Sequence, residues 1–339
     1  MKLAKVLVRV SLGALALAAA GVAAMMRRWA ATPDLSGGPL VLPQGSERVV
    51  ERPDGVRLAV LEAGEGGSPT FVMPHCWTGD RRVWGPVARR LVKAGAHVVV
   101  YDHRGHGRST LECGDYSLEA LGDDLAAVLD SVTTERVLLV GHSMGGFTIQ
   151  SFLRRHPEAA ARRVAGVGFV ASATDGQRPT SRLRAAITLW LMSSPLSDFG
   201  LRGPLATFWT RFTVGRTVCA AHLDAVIQPY LATPPAARRA FLEAIYGMDF
   251  SDVLPGVRVP ALLVSGGRDQ LTVPGRMRRM AELMPHARFV SLPDAGHMLP
   301  QEEPDRLTAL LLDLAAEAGA GAPVEPRVLD LSDLSEQIS

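Results

Sequence analysis

Arg136-Val137-Leu138-Leu139-Val140 runs without a break into Gly141-His142-Ser143-Met144-Gly145-Gly146, and a helical pattern follows from Met144 to His156. A short apolar run, a glycine-flanked serine and then a helix make up the strand–turn–helix setting of a G-x-S-x-G turn. The five-residue pattern alone is a weak signal. Its context is what makes it specific. The turn is so sharp that side chains at Gly141 and Gly145 would collide, and the serine itself must adopt a strained backbone. The result is a hydroxyl raised above a sheet, next to the positive end of a helix.

Outward from this point, short apolar runs alternate with helical patterns, which predicts an α/β fold with a mostly parallel, eight-stranded sheet and helices on both faces. The expected strands are Glu47–Arg52, Arg57–Glu62, Thr70–Met73, His97–Tyr101, Arg136–Val140, Val164–Val170, Ala261–Ser265 and Arg288–Leu292. The first two flank Pro53-Asp54-Gly55 and read as an antiparallel hairpin. Helices are expected near Arg81–Lys93, Leu118–Ser131, Met144–His156, Arg276–Met284 and Asp305–Glu317. Residues 172–247 break the rhythm. They contain no good strand, and Leu183, Ile187, Trp190 and Leu191 recur at helical spacing on one face. Phe199, Phe208, Trp209, Phe212, Tyr230 and Phe241 make this stretch aromatic. It reads as a helical lid inserted into a core formed by residues 47–171 and 248–317. It could equally be a helical subdomain packed on itself.

Four further segments fall at predicted strand ends: His75-Cys76-Trp77, Asp102-His103-Arg104-Gly105-His106-Gly107-Arg108-Ser109, Gly266-Gly267-Arg268-Asp269 and Asp294-Ala295-Gly296-His297. With the serine turn they resemble the α/β-hydrolase family over roughly residues 47–317, including its chain order of serine, acid and histidine. The resemblance implies Ser143 as nucleophile, Asp269 as acid and His297 as base. It also implies an oxyanion hole from the backbone N–H groups of Trp77 and Met144, with His75, Gly141 and Gly145 as supporting motif positions. A serine hydroxyl must lose its proton as it attacks, so it needs a base, and the base needs an orienting carboxylate. Asp294 is a rival acid, but it precedes His297 too closely to pair easily. Asp102, His103, Arg104 and His106 are expected to shape their loop, and His142 to pack beside the turn. Cys76 stands where the family usually has glycine. It could narrow the oxyanion loop, fill space, or act as a reactive thiol.

The expected activity is carboxylic ester hydrolysis, esterase- or lipase-like, through an acyl-enzyme on a hydrophobic small-molecule ester. Thioesterase, carbon–carbon bond hydrolase and perhydrolase chemistry share the same machinery. Family members that open epoxides or remove halide use aspartate in place of the serine. A non-catalytic, membrane-tethered ligand-binding protein is the alternative of another class.

Composition bounds these readings. Lys and Arg number 36 against 34 Asp and Glu, a net charge of +2. So even a balance argues against a nucleic-acid partner. Cys76, Cys113 and Cys219 lack metal-ligand spacing and no H-E-x-x-H occurs, so neither metal nor organic cofactor is expected. At the N-terminus Lys2, Lys5 and Arg9 precede an apolar run from Val10 to Met26, closed by Arg27-Arg28. That pattern predicts, over residues 1–30, a membrane anchor with the catalytic domain outside, a cleaved secretion signal, or an amphipathic helix. Residues 31–46 read as a linker and 318–339 as a flexible tail. Nothing in the chain indicates an oligomeric state.

Overall fold

The computed structural model describes residues 20–319, apart from 22, 25, 26, 29, 30, 35, 66–68, 177–180, 203–205, 207–209, 217 and 218. Most of the apolar run Val10–Met26 therefore lies outside the described residues, as do Phe208, Trp209 and the chain from residue 320 onward. Among the described residues no helix is long and apolar enough to cross a membrane.

One sheet holds eight strands: β1 (Ser46–Glu51), β2 (Arg57–Ala63), β3 (Thr70–Pro74), β4 (His97–Tyr101), β5 (Val137–His142), β6 (Val164–Val170), β7 (Ala261–Gly266) and β8 (Arg288–Leu292). Their spatial order is β1-β2-β4-β3-β5-β6-β7-β8. β1 and β2 form the expected antiparallel hairpin, and β2 is antiparallel to β4. The remaining neighbours are parallel. Every residue of β3, β4, β5 and β7 is buried, as continuous apolar runs covered on both faces require. The edge strand β1 is mostly exposed.

Helices cover both faces, and adjacent strand residues are shared between them. Leu139 faces a core built with α2 (Leu118–Asp130), α3 (Met144–Arg155) and α9 (Pro274–Leu283), through Leu125, Ile149, Phe152 and Met280. Leu138 faces the other core, with Trp84, Leu91 of α1 (Gly85–Lys93) and Leu307 and Leu311 of α11 (Pro304–Gly319). Each such fully buried side chain contributes about 1.5–3 kcal/mol. Between them these layers fix the strand ends from which the functional loops leave.

Some boundaries differ from expectation. A seven-residue helix, α4 (Pro157–Arg163), follows α3 directly, and α11 continues to Gly319, two residues into the expected tail. Part of the expected linker is laid onto the core. The Arg89 guanidinium donates to the carbonyls of Ser36, Gly37 and Gly38 and also to that of Val41. Carbonyls on a glycine-rich turn outside the sheet need donors, and one arginine fork supplies several.

Between β6 and β7 the described elements are helical: α5 (Arg182–Met192), α6 (Pro195–Leu201), α7 (Ala220–Ala232) and α8 (Pro235–Gly247). The apolar stripe on α5 points outward. Leu183, Ile187 and Trp190 are 70%, 53% and 56% exposed, and Phe199 on α6 is 80% exposed. Tyr230 and Phe241 of the same insert are buried.

Candidate active site

The strand order reverses around β3, with β4 on one side and β5 on the other. In a parallel sheet the crevice beyond such a point is where loops diverge and leave room for a ligand. Ser143 stands there, at the end of β5. Its backbone has φ 53° and ψ −112°, the strained turn foreseen from the glycines. Its N–H is held by the Val170 carbonyl at 2.9 Å. A methyl group at Gly145 would run into the Pro74 carbonyl, and one at Gly141 into the backbone of Gly145. α3 begins at Met144, so its first N–H groups lack the i−4 acceptors of a helix interior, and that of Gly146 turns back to the Ser143 carbonyl at 2.8 Å.

Asp269 and His297 come together from the ends of β7 and β8. His297 Nδ1 donates to Asp269 Oδ2 at 2.8 Å, with both residues buried. Asp269 Oδ1 accepts from the N–H groups of Leu271 and Thr272, each at 2.8 Å. One carboxylate thus does two jobs: Oδ1 closes a turn and Oδ2 orients the imidazole. Asp294, the rival acid, instead faces the Arg268 and Arg216 guanidinium groups at the surface.

Two carboxylates hold the His297 side, and the second escapes a reading of motifs. Glu302, almost wholly buried, accepts from Gly296 N at 3.0 Å, Met298 N at 3.0 Å and Gly215 N at 2.6 Å. It therefore grips the residues on either side of His297 and ties them to the insert. Burial pushes its carboxyl up to about 7, against the pull of those three N–H groups and His297. His297 N also donates to Thr213 O at 3.0 Å. His142 Nε2 donates to the His297 carbonyl at 2.8 Å, so the expected packing residue also fixes the His297 backbone.

The opposite side, carrying Trp77, is held by histidines. His75 Nδ1 donates to Cys76 O at 2.8 Å, and its Nε2 accepts from His103 N at 3.0 Å. His103 Nε2 returns a bond to His75 O at 3.0 Å. His106 Nδ1 donates to Arg104 O at 3.0 Å while its Nε2 accepts from Thr78 N at 3.2 Å. Rings that accept from an amide at one nitrogen and donate to a carbonyl at the other must be neutral. Burial acts the same way, pushing His75 down to about 3, His106 to about 4 and His103 well below the ordinary imidazole range.

The rest of that loop is anchored by charge. Arg104 makes a two-pronged pair with the buried Asp124, both bonds at 2.7 Å. Asp102 accepts from Arg81 N and Arg108 N, and burial with Asp80 nearby raises it to about 6. These four residues shape the loop, as expected. Cys76 is packed with Val83, Val214, Leu223 and Met298. Burial pushes its thiol up to about 12, so it fills space and is not a reactive thiolate. Trp77 reaches into the insert, where its Nε1 donates to Arg238 O at 3.1 Å.

With this geometry in place, comparison with known proteins places the chain. The sequence profile of the α/β hydrolase fold matches residues 69–304. The chain is 31% identical over 281 residues to the N-formylmaleamate deformylase of Pseudomonas putida, covering 77% of this chain and 93% of that protein. It is 25% identical over 283 residues to a bifunctional esterase/perhydrolase of Acinetobacter calcoaceticus, covering 76% and 96%. Among solved structures, a thermophilic esterase from Thermogutta terrifontis superposes with a TM-score of 0.67 at 25% identity, covering 81% of this chain and 99% of that one. Sequence profile, relatives and sheet topology agree that the chain belongs to the α/β-hydrolase family, whose members named here are hydrolytic enzymes.

Proposed function

We propose that the chain is a serine esterase acting on small esters with apolar acyl chains, through an acyl-enzyme formed on Ser143. The observation that carries this is the 2.8 Å bond from His297 Nδ1 to Asp269 Oδ2, at strand ends beside a serine held at φ 53°. With Nδ1–H committed to Asp269, His297 Nε2 is the lone-pair nitrogen that takes the Ser143 proton during attack and returns it to the leaving alcohol. Asp269 stabilises the imidazolium formed in between. The tetrahedral oxyanion is received by the Met144 and Trp77 N–H groups, each donor of this kind supporting about 10²–10³ in rate. Water then repeats the sequence on the acyl-enzyme.

The apolar preference is supported by Met144, Phe147, Leu118, Leu121 and Phe241, which form one buried cluster with partly buried Trp77 beside the serine. Residues 172–247 are read as a lid over this site, supported by the Trp77–Arg238 and His297–Thr213 bonds that join insert to core. The Lys2–Arg28 segment is read as a membrane anchor, with the catalytic domain on the outer side.

The test is hydrolysis of p-nitrophenyl esters from acetate to palmitate, by wild type and Ser143→Ala. The expected result is turnover favouring medium or long chains, reduced by about 10⁵–10⁶ in the variant with unchanged circular dichroism. A folded wild type that turns over none of the series would overturn the ester reading. It would move weight to amide, thioester or carbon–carbon bond cleavage, or to ligand binding without turnover.

A further inference from the structure

Away from the triad, three side chains that no shared motif joins converge where the N-terminal arm meets the insert. Cys219 is the residue before α7 and His222 lies one turn on, its N–H donated to Cys219 O at 3.2 Å. Asp34 reaches them from the segment after Arg28, its Oδ1 3.5 Å from His222 Nε2. One ligand atom from each of the three lies within 4.8 Å of the others. The His222 side chain is 5% exposed, yet its Nδ1 has no hydrogen-bond partner and its Nε2 has only the long approach of Asp34. A buried imidazole carries one N–H and one lone pair, and both are ordinarily satisfied. Cys219 beside it is a buried free thiol.

We propose that Asp34, Cys219 and His222 bind a divalent cation of the zinc type. Thiolate, imidazole and carboxylate are all established zinc donors, and three protein ligands plus a water complete a tetrahedron. Two anionic donors balance the charge of the ion. Tetrahedral bonding needs donor atoms about 3.5 Å apart; Asp34 and His222 already stand at 3.5 Å, and the wider separation within the trio is no more than 4.8 Å. That carboxylate is already aimed: it accepts from Ser36 N at 2.8 Å, Ser36 Oγ at 2.5 Å and Gly38 N at 2.9 Å. Ligating carboxylates are characteristically held by such outer bonds.

The ion would staple the arm that follows the N-terminal apolar run to α7. The next residue on that helix, Leu223, packs in one cluster with Met298, the neighbour of His297. The staple therefore lies close to the loop that carries the base, without touching it.

Full-length chain in detergent, stripped with chelator and dialysed, is titrated with cobalt(II) and then zinc(II). The expected result is one equivalent of cobalt, with intense tetrahedral d–d bands and a thiolate-to-cobalt charge-transfer band, both bleached by zinc. Cys219→Ser removes the charge-transfer band, and His222→Ala and Asp34→Asn each weaken binding at least tenfold. Should His222→Ala fail to fold by circular dichroism, Cys219→Ser, which changes a single atom, still decides the matter. No stoichiometric cobalt binding by wild type, or a charge-transfer band that survives Cys219→Ser, overturns the proposal.

Discussion

The two sides of the Ser143 crevice are held at the strand ends by different groups, although Asp102 and Asp124 anchor the outer part of the first loop and His142 braces the second. On the Trp77 side, neutral imidazoles of His75, His103 and His106 knit the backbone together. On the His297 side, carboxylates of Asp269 and Glu302 do so. On the proposed mechanism, the difference follows from what each side would have to stabilise. Where negative charge develops on a substrate oxygen, an anionic prop would oppose it, and a neutral ring with one donor and one acceptor is the safer clamp. Where a proton is to be carried, negative charge both positions the ring and favours its imidazolium form.

Five variants can break or sharpen this contrast. Asp269→Asn should have the largest effect, lowering kcat by about 10⁴ because the amide favours the wrong imidazole tautomer. Steady-state kinetics would measure it, and a loss below tenfold would mean that charge is unimportant on the base side. His106→Ala deprives the Thr78 N–H of its acceptor and lets the neighbouring Trp77 N–H drift. It should lower kcat by up to about 10² with KM little changed. An unaltered kcat would reduce the imidazole side to space-filling. Glu302→Ala leaves three buried N–H groups without an acceptor and should cost about 3 kcal/mol in urea denaturation. A change under about 0.5 kcal/mol would show that water replaces the carboxylate.

The smallest effect is the most diagnostic, because its sign differs between the two sides. Glu302 has a folded value near 7, above its ordinary 4.5. Its contribution is therefore favourable at low pH and is lost as pH rises from about 4.5 through 7. His106 is depressed to about 4. Its contribution is full above the ordinary value of 6.5 and is lost as pH falls towards 4. Relative to wild type, Glu302→Gln should gain stability as pH rises through the first window, and His106→Gln should gain it as pH falls through the second. Each slope is at most about 1.4 kcal/mol per pH unit. Parallel slopes in pH-dependent melting would erase the contrast.

The sheet was legible because its strands are buried on both faces. Runs such as Val137–Val140 and Ala261–Val264 admit few other readings, and all eight strands fall within two residues of expectation. Ser143, Asp269 and His297 were legible because each sits just past such a run, and the structure brings the last two into contact. Glu302 was hidden for a different reason: its partners are backbone N–H groups, which leave no trace in residue identity. α4 was missed because Pro157–Arg163 is short and buries only Ala160 fully. The stripe Leu183, Ile187 and Trp190 was read correctly as one helical face, but periodicity cannot say what covers it, and here the face is exposed.

The backbone at Ser143 has a consequence for what this position can host. With φ at 53°, a β-branched side chain is more strained than an unbranched one, though not barred, since Thr78 stands at φ 55°. Threonine, chemically the nearest relative of serine, is thus the replacement that carries the larger backbone strain there. Cysteine and aspartate, two quite different nucleophiles, can both be seated there. The turn selects on branching and is indifferent to reactivity, so one scaffold can exchange its chemistry at this residue without rebuilding the strand and helix that present it.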